Sequence, residues 1–322
     1  MSSATEVEKA GSGEPKLPKV FRYYKEKDQF AGGTSFCTGC PAELTLRAVP
    51  MVLGKDIIVV GTPGCAAPVL HGQGLGAWHK LAYYSCLMTG VPSSASGLAR
   101  YFKKIGQDVT VVCFTGDGDA TDIGFQALSG AAERQENIIY ICYDNEGYMN
   151  TGNQRSSQTP RGAMTSTTPV GSASQGKRAM AKNMPVIMAM HPTSYVATAT
   201  LSHMDDYCKK LQKAKEKKKE GLAYIHVFSP CPVGWRMEND SSIAACRAAV
   251  RTNYFPLWEA ENGKFRFTHK VSSPKPIKEY TDLTGKYSHL TEQGLAGFQQ
   301  MVNERYELIQ SLCEGSGTKK TQ

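Results

Sequence analysis

A chain of 322 residues with 41% hydrophobic residues can bury a substantial core, as one large domain or two small ones. Its longest apolar runs, 57–60 and 138–142, are far too short to span a bilayer. No basic segment leading into an apolar stretch opens it, so neither a membrane anchor nor a signal peptide is expected, and the expected compartment is the cytoplasm. The net charge of +8 is partly concentrated in Lys209, Lys210, Lys213, Lys215, Lys217, Lys218 and Lys219, with Glu216 and Glu220 interleaved. That run reads as the solvated face of a helix, or second as a docking surface for an acidic protein. It does not read as a nucleic-acid site, because no aromatic residues are interleaved.

In chain order, residues 1–30 open with a stretch rich in Ser, Glu, Lys, Gly and Pro, and are expected to form a mobile or partner-wrapping arm. A Cys-x-x-Cys at 37–40 precedes a predicted helix over 42–53. Short β-branched runs at 57–61, 109–114, 138–143, 195–199 and 223–228 read as buried strands. Helical patterns fall between them at 81–102, interrupted near Pro92, at 123–134 and at 204–219. This alternation predicts an α/β, doubly wound, mainly parallel sheet over 31–235. Residues 149–183 break it with a long polar stretch that leaves a predicted strand end, where open α/β sheets bind ligands. Residues 236–322 read as an irregular and helical extension suited to packing on partner subunits, with helices near 242–251 and 291–312.

The sharpest signal is Thr115-Gly116-Asp117-Gly118-Asp119 after one predicted strand and Asp144-Asn145-Glu146-Gly147 after the next. The interval accommodates a crossover helix, so both polar turns are expected side by side at one sheet edge. A diphosphate there needs a divalent cation, and Mg²⁺ takes hard oxygen ligands in octahedral array. Asp117 offers a carboxylate, Asn145 an amide oxygen, and the backbone a carbonyl. Gly116 and Gly118 allow close approach to phosphate, and the following helix offers free N–H groups. Gly116, Asp117, Gly118, Asp119 and Ala120 thus make up the expected cofactor-binding turn. This is the pattern of thiamine-diphosphate enzymes, and the resemblance implies Mg²⁺ held by Asp117, Asn145 and the carbonyl of Gly147.

Ten cysteines is a high count for a chain expected in a reducing compartment, which favours metal binding over disulfides for any ordered cluster. Cys37, Cys40, Cys65 and Cys231 all fall in turns at predicted strand ends or loops. Four thiolates converging there can hold a tetrahedral metal or a cubane cluster, and composition does not separate zinc from iron–sulfur. The other six cysteines, Cys113 and Cys142 most clearly, sit in apolar or helical patterns as core residues.

From Cys37 to Arg236 the chain resembles the β subunit of pyruvate:ferredoxin oxidoreductase and related 2-oxoacid:ferredoxin oxidoreductases. The resemblance rests on the Gly116–Gly118 turn, Asp122-Ile123-Gly124, Ala127-Leu128-Ser129-Gly130 and Asp144 through Gly152. It continues with Gln154, Ser156, Ser157, Thr159 and Pro160, and closes on Ser229 through Trp235. It implies a 4Fe–4S cluster on Cys37, Cys40, Cys65 and Cys231, with Cys40 and Cys65 beside the cofactor. It also implies that Asn150 lies near the substrate and the reactive ring, with Thr151 next to it. The glutamate that activates the cofactor comes from a partner chain in this family. The implied reaction is oxidative decarboxylation of a 2-oxoacid, with α, γ and δ-type subunits as partners, ferredoxin as acceptor and coenzyme A in most members. Two departures stand out. Pro41 follows Cys40 where the family has Gly, and residues 86–90 replace a Phe-Glu-Asn triplet while Ala95-Ser96-Gly97 remains. Pyruvate, oxalate, an aryl-glyoxylate and a branched 2-oxoacid therefore all stay open as substrates. The alternative readings are a non-redox thiamine-diphosphate decarboxylase or synthase subunit, and a zinc-stabilised scaffold subunit.

Overall fold

The Val- and Ile-rich runs become the interior strands of one eight-stranded sheet in the computed structural model, which describes residues 19–71, 79–172 and 174–317. In chain order the strands are β1 (Ile57–Gly61), β2 (Ala82–Ser85), β3 (Thr110–Gly116), β4 (Ile139–Asp144), β5 (Val170–Gly171), β6 (Ser174–Gln175), β7 (Tyr195–Thr200), β8 (Ala223–Phe228), β9 (Leu257–Glu261) and β10 (Lys264–His269). The sheet runs β10-β9-β7-β8-β4-β3-β1-β2, while β5 and β6 form a separate hairpin. From β2 to β7 every pairing is parallel; β9 and β10 add antiparallel strands at one edge. Every residue of β4, β7 and β8 is buried, as expected of strands covered on both faces.

The covering helices are α1 (Pro41–Leu53), α2 (Ala67–His71), α3 (Val91–Lys104), α4 (Phe125–Glu133), α5 (Met184–Ala189), α6 (Met204–Lys217), α7 (Pro232–Trp235), α8 (Ser242–Arg251), α9 (Lys278–Thr281) and α10 (Glu292–Gly317). On one face Leu46, Val49, Tyr207 and Leu211 of α1 and α6 pack on Val59, Val112, Ile141 and Ile225. On the other, Ala95, Leu128 and Met188 of α3, α4 and α5 pack on Val60, Val111, Tyr140 and Tyr224. The sheet is thus mainly parallel and wound on both faces, with a helical C-terminal segment. Because β1 lies between β2 and β3, the loops leaving β1 and β3 diverge and open a crevice at the strands' C-terminal ends.

Several local expectations change. The predicted helix over 81–102 is an edge strand, β2, followed by α3, with Pro92 in its first turn, where a missing N–H costs no bond. The start of the predicted helix at 123–134 is preceded by a wide π-type turn over Asp119–Ile123. The C-terminal extension is more than helical, because it supplies β9 and β10. Their turn is Asn262-Gly263, with φ of 48° and 75°, the left-handed pair a tight hairpin needs.

The lysine-rich helix is only partly a solvated face: Lys209 and Lys219 are exposed, but others are tied down. Lys210 is buried, paired with Asp206 and donating to Thr198 O and Thr268 Oγ1, each at 2.8 Å. Lys218 is buried against Asn137, Lys213 pairs with Glu259 at 3.0 Å, and Lys215 donates to Leu53 O at 2.5 Å. Their long stems let these ammonium groups reach carbonyls and carboxylates of neighbouring elements. Most of the expected N-terminal arm, residues 1–18, lies outside the described residues. Of the remainder, Tyr23 and Phe30 pack in the same core cluster as α1. Among the described residues no helix is long and apolar enough to cross a membrane.

Candidate cofactor site

β3 and β4 pair in parallel with Gly116 opposite Tyr143, so the turns that follow them leave the sheet side by side. Asp117, the first residue after β3, is fully buried. In the second turn Glu146 takes a left-handed conformation, φ 61°, which is costly for a non-glycine residue. The reversal brings the Asn145 side chain and the Gly147 carbonyl to one point. There the Asn145 amide oxygen stands 3.0 Å from Asp117 Oδ1 and 2.9 Å from Gly147 O. Three oxygens at these separations repel one another unless a cation or protons lie between them. Octahedral Mg²⁺ with bonds of about 2.0–2.1 Å has adjacent ligands about 2.9 Å apart, so these residues fit the ion. The opposite amide orientation, with nitrogen donating to both oxygens, satisfies the site without a cation. A bound cation favours the oxygen-inward orientation, in which Nδ2 faces Cys65 Sγ at 3.8 Å.

The polar loop holds this arrangement from behind. Ser156 Oγ donates to Asp117 Oδ2 at 2.5 Å, leaving Oδ1 toward the other oxygens, and Thr159 Oγ1 donates to Glu146 O at 2.6 Å. Buried Lys177 gathers the carbonyls of Ser156, Ser157 and Thr159 at 3.1, 3.2 and 2.5 Å. Burial lowers its pKa to about 8. Burial, and then the Asp144 carboxylate, push the Asp117 pKa well above the usual carboxylate range.

A cavity of about 140 Å³ is lined by Asn145 and Gly147, with Thr62, Gly64, Cys65, Gly116, Gly118, Asp119, Asn150 and Thr151 among others, while Asp117 lies buried behind it. A Cβ at Gly118 would stand 2.5 Å from the Tyr148 ring, so only glycine lets the turn pass. Asp119 is buried with neither carboxylate oxygen hydrogen-bonded, and burial raises its pKa to about 8. Ala120 is buried outside the lining. Thr151 Oγ1 donates to Gln154 Oε1 at 2.7 Å and so also closes its own turn.

A second cavity of about 750 Å³ adjoins the first, lined by Cys37, Cys65, Cys231, Met149, Asn150 and Lys286 among others. Cys65, Met149 and Asn150 line both cavities. Cys40 lines neither, but it is close enough to Cys231 and Cys37 to feel their charge. Burial pushes the Cys40 and Cys65 thiols up to about 12 and raises Cys231 as well, so each is inert unless a metal deprotonates it. Among the described residues no three Cys, His, Asp or Glu side chains converge on a single ion. Thiols spread around a large cavity suit a polynuclear cluster better than one zinc ion, which needs close tetrahedral ligands. Gly39 has φ 76°, and a Cβ there would fall 1.7 Å from Asn239 O, so the Cys37–Cys40 turn requires glycine. Pro41 occupies the first position of α1, where it disturbs no hydrogen bond.

A buried charged group that no local sequence pattern foretells lies beneath the Asn145–Gly147 turn. Glu146 pairs with Lys286 and accepts from Tyr254 OH. The Lys286 ammonium lies 3.2 Å from the Trp235 ring centroid, and Trp235 Nε1 donates to Asn145 O at 2.9 Å. Burial pushes Glu146 up and Lys286 down; their contact with each other opposes both shifts. Lys286 lies 140 residues from Glu146 in sequence, with no local pattern to join them.

The fold and the paired turns define a thiamine-diphosphate-binding domain: residues 60–227 match the family of the C-terminal TPP-binding domain of thiamine pyrophosphate enzymes. The chain is 43% identical over 279 residues to the pyruvate synthase subunit PorB of Methanothermobacter thermautotrophicus, covering 86% of this chain and 96% of that one. It is 41% identical over 291 residues to the β subunit of NADH-dependent phenylglyoxylate dehydrogenase of Aromatoleum evansii, covering 89% of this chain but 65% of that longer one. Among solved structures, a 2-oxoglutarate:ferredoxin oxidoreductase from Magnetococcus marinus shares the fold, with TM-score 0.53, 24% identity and coverage of 67% and 69%. The chain belongs to the β subunits of the 2-oxoacid:ferredoxin oxidoreductases.

Proposed function

We propose that this chain holds the diphosphate end of thiamine diphosphate through Mg²⁺ on Asp117, Asn145 and the Gly147 carbonyl, beside a 4Fe–4S cluster on Cys37, Cys40, Cys65 and Cys231. The observation that carries the reading is the convergence of the Asn145 amide on the Asp117 carboxylate and the Gly147 carbonyl, at 3.0 and 2.9 Å, next to a thiol-lined cavity that shares Cys65 with the cofactor cavity. When bound, thiamine diphosphate supplies the electron sink for decarboxylation of a 2-oxoacid, and the cluster takes up electrons singly.

The chain's own residues divide the remaining work. Gly116, Gly118 and the N–H of Asp119 admit and bind phosphate, with buried Ala120 backing the turn. Asn150, at the junction of the cavities, donates to the substrate's carboxylate or developing oxyanion, with Thr151 fixing the turn beside it. The small cavity is below the roughly 300–1,000 Å³ of complete ligand sites, so a second chain encloses the rest of the cofactor. The α, γ and δ-type subunits are the partners, meeting the arm at 1–30 and the extension at 236–322. Ferredoxin accepts the electrons in the cytoplasm, and coenzyme A accepts the acyl group.

The relatives named above differ in substrate, so the acid is set by turnover of the assembled complex against pyruvate, oxalate, phenylglyoxylate and a branched 2-oxoacid, with and without coenzyme A. Reduction of ferredoxin by one of them is expected. Decarboxylation without electron transfer would indicate a non-redox thiamine enzyme, and no turnover of any would contradict the proposal.

A further inference from the structure

Lys286 is an expensive residue where it stands. Its ammonium is buried, and a buried ion pair recovers its desolvation cost only with good geometry and further contacts. The molecule supplies both. Gly285 lets the segment close onto α7, since a Cβ there would come 2.8 Å from Arg236 Cβ and 3.2 Å from Trp235 O. Lys286 then lies over the Trp235 ring and pairs with Glu146. The two members of the pair are not equivalent in position. Lys286 lines the thiol cavity, whereas Glu146 lies behind it under the metal turn, held by Tyr254. A cubane on four thiolates is anionic and gains one further negative charge on reduction. A fixed cation at the cavity wall favours that reduced form, and reduction potentials of such clusters follow local charge and burial.

We propose that Lys286 is the buried cation that raises the reduction potential of the cluster, with Glu146 and Trp235 as the residues that hold it at the cavity wall. The inference rests on the cluster reading above. Lys286 is a positioning and tuning residue, and takes part in no bond change.

The test is a potentiometric titration of the full-length chain, purified anaerobically and followed by EPR of the reduced cluster. Lys286→Met should lower the midpoint by about tenfold in the reduction equilibrium, which is about 59 mV for one electron. That variant leaves Glu146 buried and unpaired, so Lys286→Met with Glu146→Gln is measured alongside it and should show the same direction of shift. Glu146→Gln alone keeps the cation without its counter-anion and should raise the midpoint. A purely structural ion pair predicts lost stability in the single variants with wild-type midpoints. An unchanged midpoint in the double variant, or a fall in Glu146→Gln, would overturn the inference. A wild-type chain without iron would instead overturn the cluster reading itself.

Discussion

Asp117 is the only carboxylate among the three converging groups, so it carries the charge that any divalent ion there must meet. Removing it leaves the diphosphate's repulsion uncompensated. Asp117→Ala should weaken thiamine diphosphate binding by well over tenfold, on the order of what a lost charged ligand costs, as measured by calorimetry. The pH dependence follows from its burial. The metal-free carboxyl has a raised pKa, from burial and then Asp144, so it is protonated below that pKa. Mg²⁺ requires the carboxylate; binding then expels a proton, and affinity climbs with pH until that pKa is passed. The slope should vanish in Asp117→Ala, and a slope that persists would place the titrating group elsewhere. Asn150 makes a different prediction. Loss of one preorganised donor to an oxyanion typically costs about 10²–10³ in kcat. Asn150→Ala in the assembled complex should show that loss with normal thiamine diphosphate and cluster content. Activity lost only through cofactor loss would make Asn150 a turn residue.

At the scale of elements, the strands that frame the site were legible because burial on both faces leaves runs such as Ile139-Tyr140-Ile141-Cys142 with no polar alternation. β2 was not, since Ala82–Ser85 is short, mostly exposed and runs straight into a helical pattern. The β9–β10 hairpin carried a readable signal, alternation around Asn262-Gly263, hidden only by the general irregularity of the extension. The lysines of α6 misled for the opposite reason. A charge run looks solvated in sequence, and only the partners at Thr198, Leu53 and Glu259 reveal that Lys210, Lys215 and Lys213 are tied down, while Lys209 and Lys219 stay exposed. The position of the polar loop at a strand end marks it as functional, but nothing in its sequence marks the Lys177 clamp. Lys177→Met should leave the Ser156, Ser157 and Thr159 carbonyls short of a donor, at about 1–3 kcal/mol for an unsatisfied buried group. Lower thermal stability and weaker thiamine diphosphate binding, with unchanged iron content, are expected; unchanged cofactor binding would show that the loop does not position Asp117.

Across the whole molecule, one sheet edge gathers groups from every part of the chain: Cys37 and Cys40 before β1, Cys65 after it, Asp117 after β3, Asn145 after β4, Cys231 after β8 and Lys286 beyond β10. The motif residues could be found from spacing after strands. Lys286 and Tyr254 could not, because their contacts with Glu146, and the place of Lys286 over Trp235, exist only once the extension folds back over the Asn145–Gly147 turn. Cys65 joins the two cavities, so Cys65→Ala should abolish electron transfer while thiamine diphosphate stays bound; concurrent loss of the cofactor would show that the two sites are not separable. The deciding chemistry is that of the thiol-lined cavity. The direct measurement is iron, acid-labile sulfide and zinc per chain in anaerobically purified full-length protein. About four iron and four sulfide, with iron–sulfur absorbance, are predicted for a four-cysteine cubane. Stoichiometric zinc with no such absorbance would contradict it.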